Sequence, residues 1–305
     1  MKPLHPLHGL VAAPFAPLAA DGTLDLARIE KQAEHLARCG VRMVFVNGTT
    51  GECTSLTLDE RRAIARRWCE VTRGSDLHVA VHVGTNCLAD SRLLAAEAEA
   101  CGAASISAFA PSYFRPQHLD ALIDWCASIA AAAPELPFYF YDIPSFTHVA
   151  LSMPQFLEQA PARIPNLAGL KFTNPDLMAY QLCLRASGGR FDVAYGCDEW
   201  LLAALALGAR GAVGSTYNFA APVYRRMWAA FTEGNWEVAR SEQFRAVQLI
   251  QLLAGYGFLP AAKATMDLVG VEVGPVRPPQ NPLTAEQRLR LREDLEKLGF
   301  FDWIP

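Results

Sequence analysis

The sequence predicts an α/β fold, a (β/α)8 TIM barrel with a C-terminal helical extension. Three observations predict it. Short apolar runs alternate with helical patterns eight times, at a spacing of roughly 25 to 30 residues, as βα units do. No G-x-G-x-x-G follows the first apolar run, the usual mark of the rival doubly wound open sheet. From about Trp236 onward the pattern is helical only. We therefore expect the barrel over residues 1–234 and an extension over 235–305 packed on it, since no low-complexity linker separates the two.

Each unit has its own signals. Leu10 to Phe15 is an apolar run ended by Ala16-Pro17; a helical pattern follows from Asp25, with Ile29, Ala33 and Leu36 on one face, and stops at Gly40. Val41 to Val46 is the second run. The loop Asn47-Gly48-Thr49-Thr50-Gly51-Glu52 leads to Thr57, which with Glu60 three residues on forms a capping-box signature. Val79 to Val83 and Ile106 to Ala110 are strands, followed by helices over Ala89–Cys101 and His118–Ala132. The fifth strand, Pro137 to Pro144, is punctuated by proline at both ends, and Ser152 opens the next helix. The sixth strand is Asn166 to Thr173, with a helix from Asp176. Phe191 to Tyr195 and Gly211 to Ser215 complete the set, followed by helices over Asp198–Leu207 and Pro222–Thr232. The extension reads as helices over Trp236–Leu253, Pro260–Val269 and Thr284–Leu298, with a proline-rich connector from Gly274 to Pro282.

Composition excludes several functions. A net charge of −4 leaves no basic stripe for nucleic acid. No apolar run is long enough to span a bilayer. Met1 to Pro6 lacks a leader h-region, so a cytoplasmic protein is expected. The eight cysteines include no C-x-x-C pair, which disfavours a zinc ribbon; most are expected to be buried thiols.

The sixth strand carries the most informative residue. The chain has five lysines against twenty-two arginines, and Lys171 is the only lysine between Lys31 and Lys263. In a strand, Lys171 and Thr173 share one face, while Ala168, Leu170 and Phe172 share the other. Burial lowers a lysine pKa and yields a nucleophilic amine, which arginine cannot supply. A surface lysine in a salt bridge is the alternative.

Active sites of such barrels lie at the C-terminal ends of the strands. There the order of elements gathers Thr49, Thr50, Gly51 and Glu52 after strand two, Tyr113 after strand four, Tyr141 late in strand five, and Lys171 with Thr173 in strand six. Gly196, Cys197, Asp198 and Glu199 follow strand seven, and Ser215 ends strand eight. An amine that attacks a ketone gives an iminium, an electron sink for carbon–carbon cleavage, and a phenol such as Tyr141 can move the proton if its pKa is lowered or the substrate supplies a relay. The Thr49-Thr50-Gly51 loop suits a carboxylate, and Asp198 and Glu199 suit the hydroxyls of a polyol. Structural alternatives stand beside each. The loop could be an ordinary turn, Tyr139 and Tyr141 could be barrel filling, and two acids opening a helix stabilise its N-terminus regardless of function. His78 and His82 share a strand face but have no third ligand nearby, so no metal site is expected. Cys53 has no histidine partner and reads as a core thiol.

The runs G-T-T-G-E at Gly48 to Glu52, Y-D-I-P at Tyr141 to Pro144, G-L-K-F-T at Gly169 to Thr173, Y-G-C-D-E at Tyr195 to Glu199 and G-S-T-Y-N at Gly214 to Asn218 together resemble the N-acetylneuraminate lyase branch of the dihydrodipicolinate synthase family, over essentially the whole chain. The resemblance implies a barrel with a helical tail, usually a homotetramer, that needs no cofactor and forms a Schiff base with pyruvate. It implies Lys171 as the Schiff-base lysine and Tyr141 as the proton-transfer tyrosine. It puts Thr49 and Thr50 on the pyruvate carboxylate, and Thr173, Gly196, Asp198, Glu199 and Ser215 along the sugar chain of a sialic acid. Tyr113 matches a tyrosine that reaches toward a neighbouring subunit's site. Two positions depart from the family's patterns. Phe146 stands where the synthase branch has an arginine for a second carboxylate, which argues against dihydrodipicolinate synthesis and leaves a related 2-keto-sugar-acid aldolase or dehydratase as the runner-up. His148 stands where lyases often have glycine, and could narrow the mouth.

Overall fold

The computed structural model describes residues 5–304. Met1–Leu4, which belong to the stretch read for a leader segment, lie outside them. Eight strands, β1 (Gly9–Ala12), β2 (Met43–Val46), β3 (His78–His82), β4 (Ser105–Phe109), β5 (Phe138–Asp142), β6 (Leu167–Phe172), β7 (Asp192–Tyr195) and β8 (Gly211–Gly214), pair in parallel, and β8 closes on β1. The eight-unit reading is therefore correct. β1 is shorter than expected because Pro14 has no N–H to give the ladder. Helices α1 (Arg28–Arg38), α2 (Leu58–Val71), α3 (Leu88–Cys101) and α4 (Leu119–Ala130) follow the first four strands. The short α5 (Pro144–Thr147) and α6 (Met153–Gln159) follow β5, α7 (Leu177–Arg185) follows β6, α8 (Leu201–Leu207) follows β7, and α9 (Tyr217–Thr232) follows β8. The tail holds α10 (Trp236–Gly255), α11 (Phe258–Leu268) and α12 (Ala285–Leu298).

Strand residues bury both faces, which is why they read as unbroken apolar runs. Val44, Val46, Val79 and Val81 pack outward under the helices, while Val11, Met43, Phe45 and Tyr139 fill the barrel. The Thr57 cap forms as expected: its hydroxyl accepts from Glu60 N at 3.2 Å, and Glu60 returns a carboxylate to Thr57 N at 2.8 Å.

Three expectations need correction. The alternation in β6 breaks at Ala168, which packs on the inner cluster rather than with Leu170 and Phe172. The register shifts there, Phe138 pairing with Leu167 but Tyr139 with Gly169, so an extra residue is taken up at Ala168. The helix after β8 starts at Tyr217, not at Pro222. Pro222 lies inside it, with a kink at Ala220. The carbonyl of Asn218 loses its helical donor at Pro222 and accepts instead from His35 Nε2 at 2.9 Å. Four of the eight cysteines are buried rather than most of them; Cys69 and Cys101 touch, Sγ to Sγ at 3.0 Å, between α2 and α3. Among the described residues, no helix is long and apolar enough to cross a membrane.

Candidate active site

The C-terminal ends of the strands open into a cavity of about 630 Å³, a volume suited to a small molecule. Lys171 and Tyr141 are direct partners across the β5–β6 ladder, so their side chains enter the barrel at one level. Lys171 is 4 % exposed, which removes the surface-lysine alternative. Its Nζ lies 3.8 Å from the centroid of the Tyr141 ring and 4.1 Å from that of Phe45. Burial brings the amine down to about 7, against the opposing pull of the Asp198 charge. Two aromatic faces cannot replace the water an ammonium loses, so the neutral amine is accessible near neutrality.

Above the amine stand hydroxyls. Thr49 Oγ1 and Tyr141 Oη are 3.2 Å apart, and Thr50 Oγ1 and Ser215 Oγ are 2.6 Å apart. Thr173 Oγ1 is buried with no partner, an unspent hydrogen-bonding group in the wall. Gly196 beside it must be glycine, since a Cβ there would fall 1.9 Å from that hydroxyl. Burial pushes the Tyr141 phenol above its ordinary value. Tyr139, two residues earlier, is barrel filling: its hydroxyl donates to Asp192 at 2.9 Å, below the site.

Asp198 is buried, and its carboxyl is pushed up to about 6 by desolvation. Oδ2 accepts from Thr216 N at 3.1 Å and from Thr216 Oγ1 at 2.5 Å, leaving Oδ1 without a partner. A Cβ on Gly214 would sit 2.0 Å from Oδ1, so β8 yields space to this acid. The carbonyl of Asp198 accepts from Gln243 Nε2 at 3.2 Å, and Gln243 Oε1 receives the N–H of Leu202 at 2.8 Å, so α10 pins the turn that carries the acid. Glu199 is exposed and lines the cavity beside it.

Nine of the eleven residues selected from the sequence thus share this cavity: Lys171, Tyr141, Thr49, Thr50, Thr173, Gly196, Asp198, Glu199 and Ser215. Two do not. Gly51 lies behind the threonines, packed near the Pro14 carbonyl and the Asn47 backbone. Tyr113 is 78 % exposed, edge-on to Phe114, on a loop held by Asn86. His148 is exposed, at φ 54°, and is not among the cavity's lining. Phe146 does line the rim. His82 is wedged between Phe45, Phe109 and Tyr141, and burial holds its ring well below the ordinary histidine range. Cys53 is a buried core thiol, raised by desolvation. Among the described residues, no three His, Cys, Asp or Glu side chains gather as a metal-ligand set. Thr216, within the G-S-T-Y-N run at the end of strand eight, sits behind Asp198; the sequence did not single out Phe45 beneath the amine, Gln243 behind Asp198, or a wall of Ile250, Phe258, Leu259 and Gln280 supplied by the extension. The only signal for the latter residues was their place in three dimensions.

The family model for the dihydrodipicolinate synthetase family matches residues 6–298, barrel and extension alike. This chain belongs to that family. Among its members, N-acetylneuraminate lyase A of Xenopus laevis is 41% identical over 276 residues, covering 90% of each chain. N-acetylneuraminate lyase of Rattus norvegicus is 39% identical over 305 residues, covering 99% of this chain and 95% of its own. A solved structure of Proteus mirabilis N-acetylneuraminate lyase superposes with a TM-score of 0.94 at 38% identity, covering 97% of this chain and 100% of that one.

Proposed function

We infer that the chain is a class I, Schiff-base lyase that cleaves N-acetylneuraminate to N-acetylmannosamine and pyruvate. Its relatives over nearly the whole chain carry that name. The observation that carries the reading is the buried amine of Lys171, brought to about 7 and stacked over Tyr141 at the foot of a cavity lined by hydroxyls and acids.

The chemistry follows from these groups. The neutral amine of Lys171 attacks the ketone carbon of the open-chain sugar acid, and loss of water leaves an iminium. The substrate carboxylate sits on Thr49, Thr50 and the N–H groups of their loop, which brings it beside the Tyr141 hydroxyl. The proton on the hydroxyl beta to the iminium carbon then leaves, the carbon–carbon bond breaks, and its electron pair flows into the iminium to give an enamine. N-acetylmannosamine departs as the aldehyde. Protonation of the enamine carbon and hydrolysis return pyruvate and the free amine. Burial raises the Tyr141 phenol, so it does not act as a free phenolate. Of the two routes open from the sequence, the relay through the substrate carboxylate is the one these surroundings favour: the carboxylate takes the proton while Tyr141 hydrogen-bonds and shuttles it. Asp198 and Glu199 accept hydrogen bonds from the sugar hydroxyls, with Thr173 and Ser215 adding to them and Gly196 keeping the wall open. No metal or cofactor enters any of these steps.

We read residues 1–234 as the barrel and 235–305 as its extension, and place the enzyme in the cytoplasm as a homotetramer in which Tyr113 approaches a neighbouring subunit's cavity. The test is direct. Pyruvate release from N-acetylneuraminate is measured, and borohydride with pyruvate is used to trap the intermediate, with the modified peptide located by mass spectrometry. A reduced pyruvyl group on Lys171 is expected. An adduct on Lys263, or none, refutes the assignment; trapping without release from any sialic acid refutes the substrate.

A further inference from the structure

The connector between α11 and α12 had no function in the sequence reading beyond joining helices. In the structure it is anchored to the barrel mouth by a part-buried ion pair and by hydrogen bonds. Glu52 follows the threonine loop at φ 54°, is 4 % exposed, and uses both carboxylate oxygens. Oε1 pairs with Lys263 Nζ at 2.7 Å, and Oε2 accepts from Arg277 N at 2.8 Å. Lys263 spends a second proton on the Pro275 carbonyl at 2.6 Å. The Arg277 guanidinium grips both oxygens of Glu60, at 2.6 and 2.7 Å, and also reaches the carbonyls of Gly22 and Ser55. Arg277 O then accepts from Gln280 N at 3.1 Å, closing a turn.

The strap therefore ends in a fixed backbone position for Gln280, a residue that lines the cavity. The other lining residues from the extension are Ile250, Phe258 and Leu259, all apolar. Among the described residues of the extension that line the cavity, Gln280 alone has a polar side chain, and its amide offers both donors and an acceptor. We propose that Gln280 is a specificity-determining residue that hydrogen-bonds the outer arm of the substrate, and that Arg277, held by Glu52 and Glu60, is its positioning residue. A polyhydroxylated, N-acylated arm leaving the Schiff base has hydroxyls and an amide to offer. In the same cavity as the acids of the barrel wall, the extension supplies one neutral partner for them. This assignment rests on the sialic acid lyase reading above.

The test is a double-mutant cycle on the full-length enzyme. Gln280→Leu keeps the volume and removes the hydrogen bonds. We expect kcat/KM for pyruvate release from N-acetylneuraminate to fall about three- to tenfold, the size of one or two neutral hydrogen bonds. The pyruvate concentration that half-saturates trapping at Lys171 is the reference for the inner site and should move less than twofold. Arg277→Met frees the turn and should cost a similar factor. Adding Gln280→Leu to Arg277→Met should then cost nothing more, because the side chain is already misplaced. Additive losses overturn the positioning role, since Arg277 would then act on stability alone. A kcat/KM for Gln280→Leu within twofold of the wild type overturns the specificity role. A wild type that traps pyruvate but cleaves no sialic acid overturns the substrate reading, and this assignment with it.

Discussion

Replacing Lys171 by methionine should abolish pyruvate trapping and make the protein more stable at neutral pH. The side chain is 4 % exposed, and burial brings its amine from the ordinary 10.5 down to about 7. The folded-state value lies below the unfolded one, so between about pH 7 and 10.5 the folded chain binds fewer protons than the unfolded chain. Stability therefore rises with pH through that window, and the cost of the buried ammonium is felt in full below it. The difference between 10.5 and 7 corresponds to roughly 5 kcal/mol, an upper figure for what the lysine withholds from the fold at pH 6 to 7. Asp198 contributes in a separate window. Its carboxyl is raised to about 6, so its contribution is present in acid and is lost as pH rises through 6. Methionine fills similar volume without charge. Urea unfolding of the two proteins at pH 7, 8.5 and 10 is the assay. The methionine variant should be the more stable at pH 7, by several kcal/mol, and the gap should close toward pH 10. A gap that does not change with pH, or a variant less stable throughout, would mean a lysine that stays protonated and ion-paired, and would refute the neutral-nucleophile argument.

Four further outcomes follow from the same geometry. Tyr141→Phe keeps the ring beside Lys171 but loses the hydroxyl; turnover should fall roughly 100- to 10,000-fold while pyruvate trapping persists. Glu199→Gln should lower kcat/KM for the sialic acid about ten- to a hundredfold with an unchanged melting temperature. The reverse pattern, a lower melting temperature with constant kcat/KM, would assign Glu199 to the helix start instead. Lys263→Met strands the buried Glu52 carboxylate and should cost about 3–5 kcal/mol in urea unfolding, most of it recovered in the Glu52→Gln/Lys263→Met double variant. Exhaustive chelation should leave the rate of pyruvate release intact; loss restored by a divalent ion would move the reaction to metal-assisted chemistry.

Much of this molecule is local and was legible in the chain. A strand buried on both faces must be an apolar run, and a helix packed on it must be amphipathic, so the eight units show as periodicity. Thr57 and Glu60 are three residues apart, and their capping box needs nothing beyond that spacing. Lys171 was visible because a lone cation in a buried strand conflicts with its surroundings unless it has work to do. Position along the chain also placed Thr49, Tyr141 and Asp198 at the C-terminal ends of strands two, five and seven, and barrel closure converts that order into proximity. Tertiary structure alone decided the rest. Whether Lys171 is neutral depends on Phe45 and Tyr141 packing against it, and whether Asp198 keeps one free oxygen depends on Thr216. Pro222 does not end its helix because His35, far away in sequence, serves the carbonyl it deprives. Glu52 reads as one more polar loop residue until Lys263 and Arg277 are folded onto it. The contacts of Phe45, His35 and Glu52 join segments separated by well over a hundred residues. No short-range pattern encodes such a pairing, because each partner is chosen by the packing of the whole barrel and its extension.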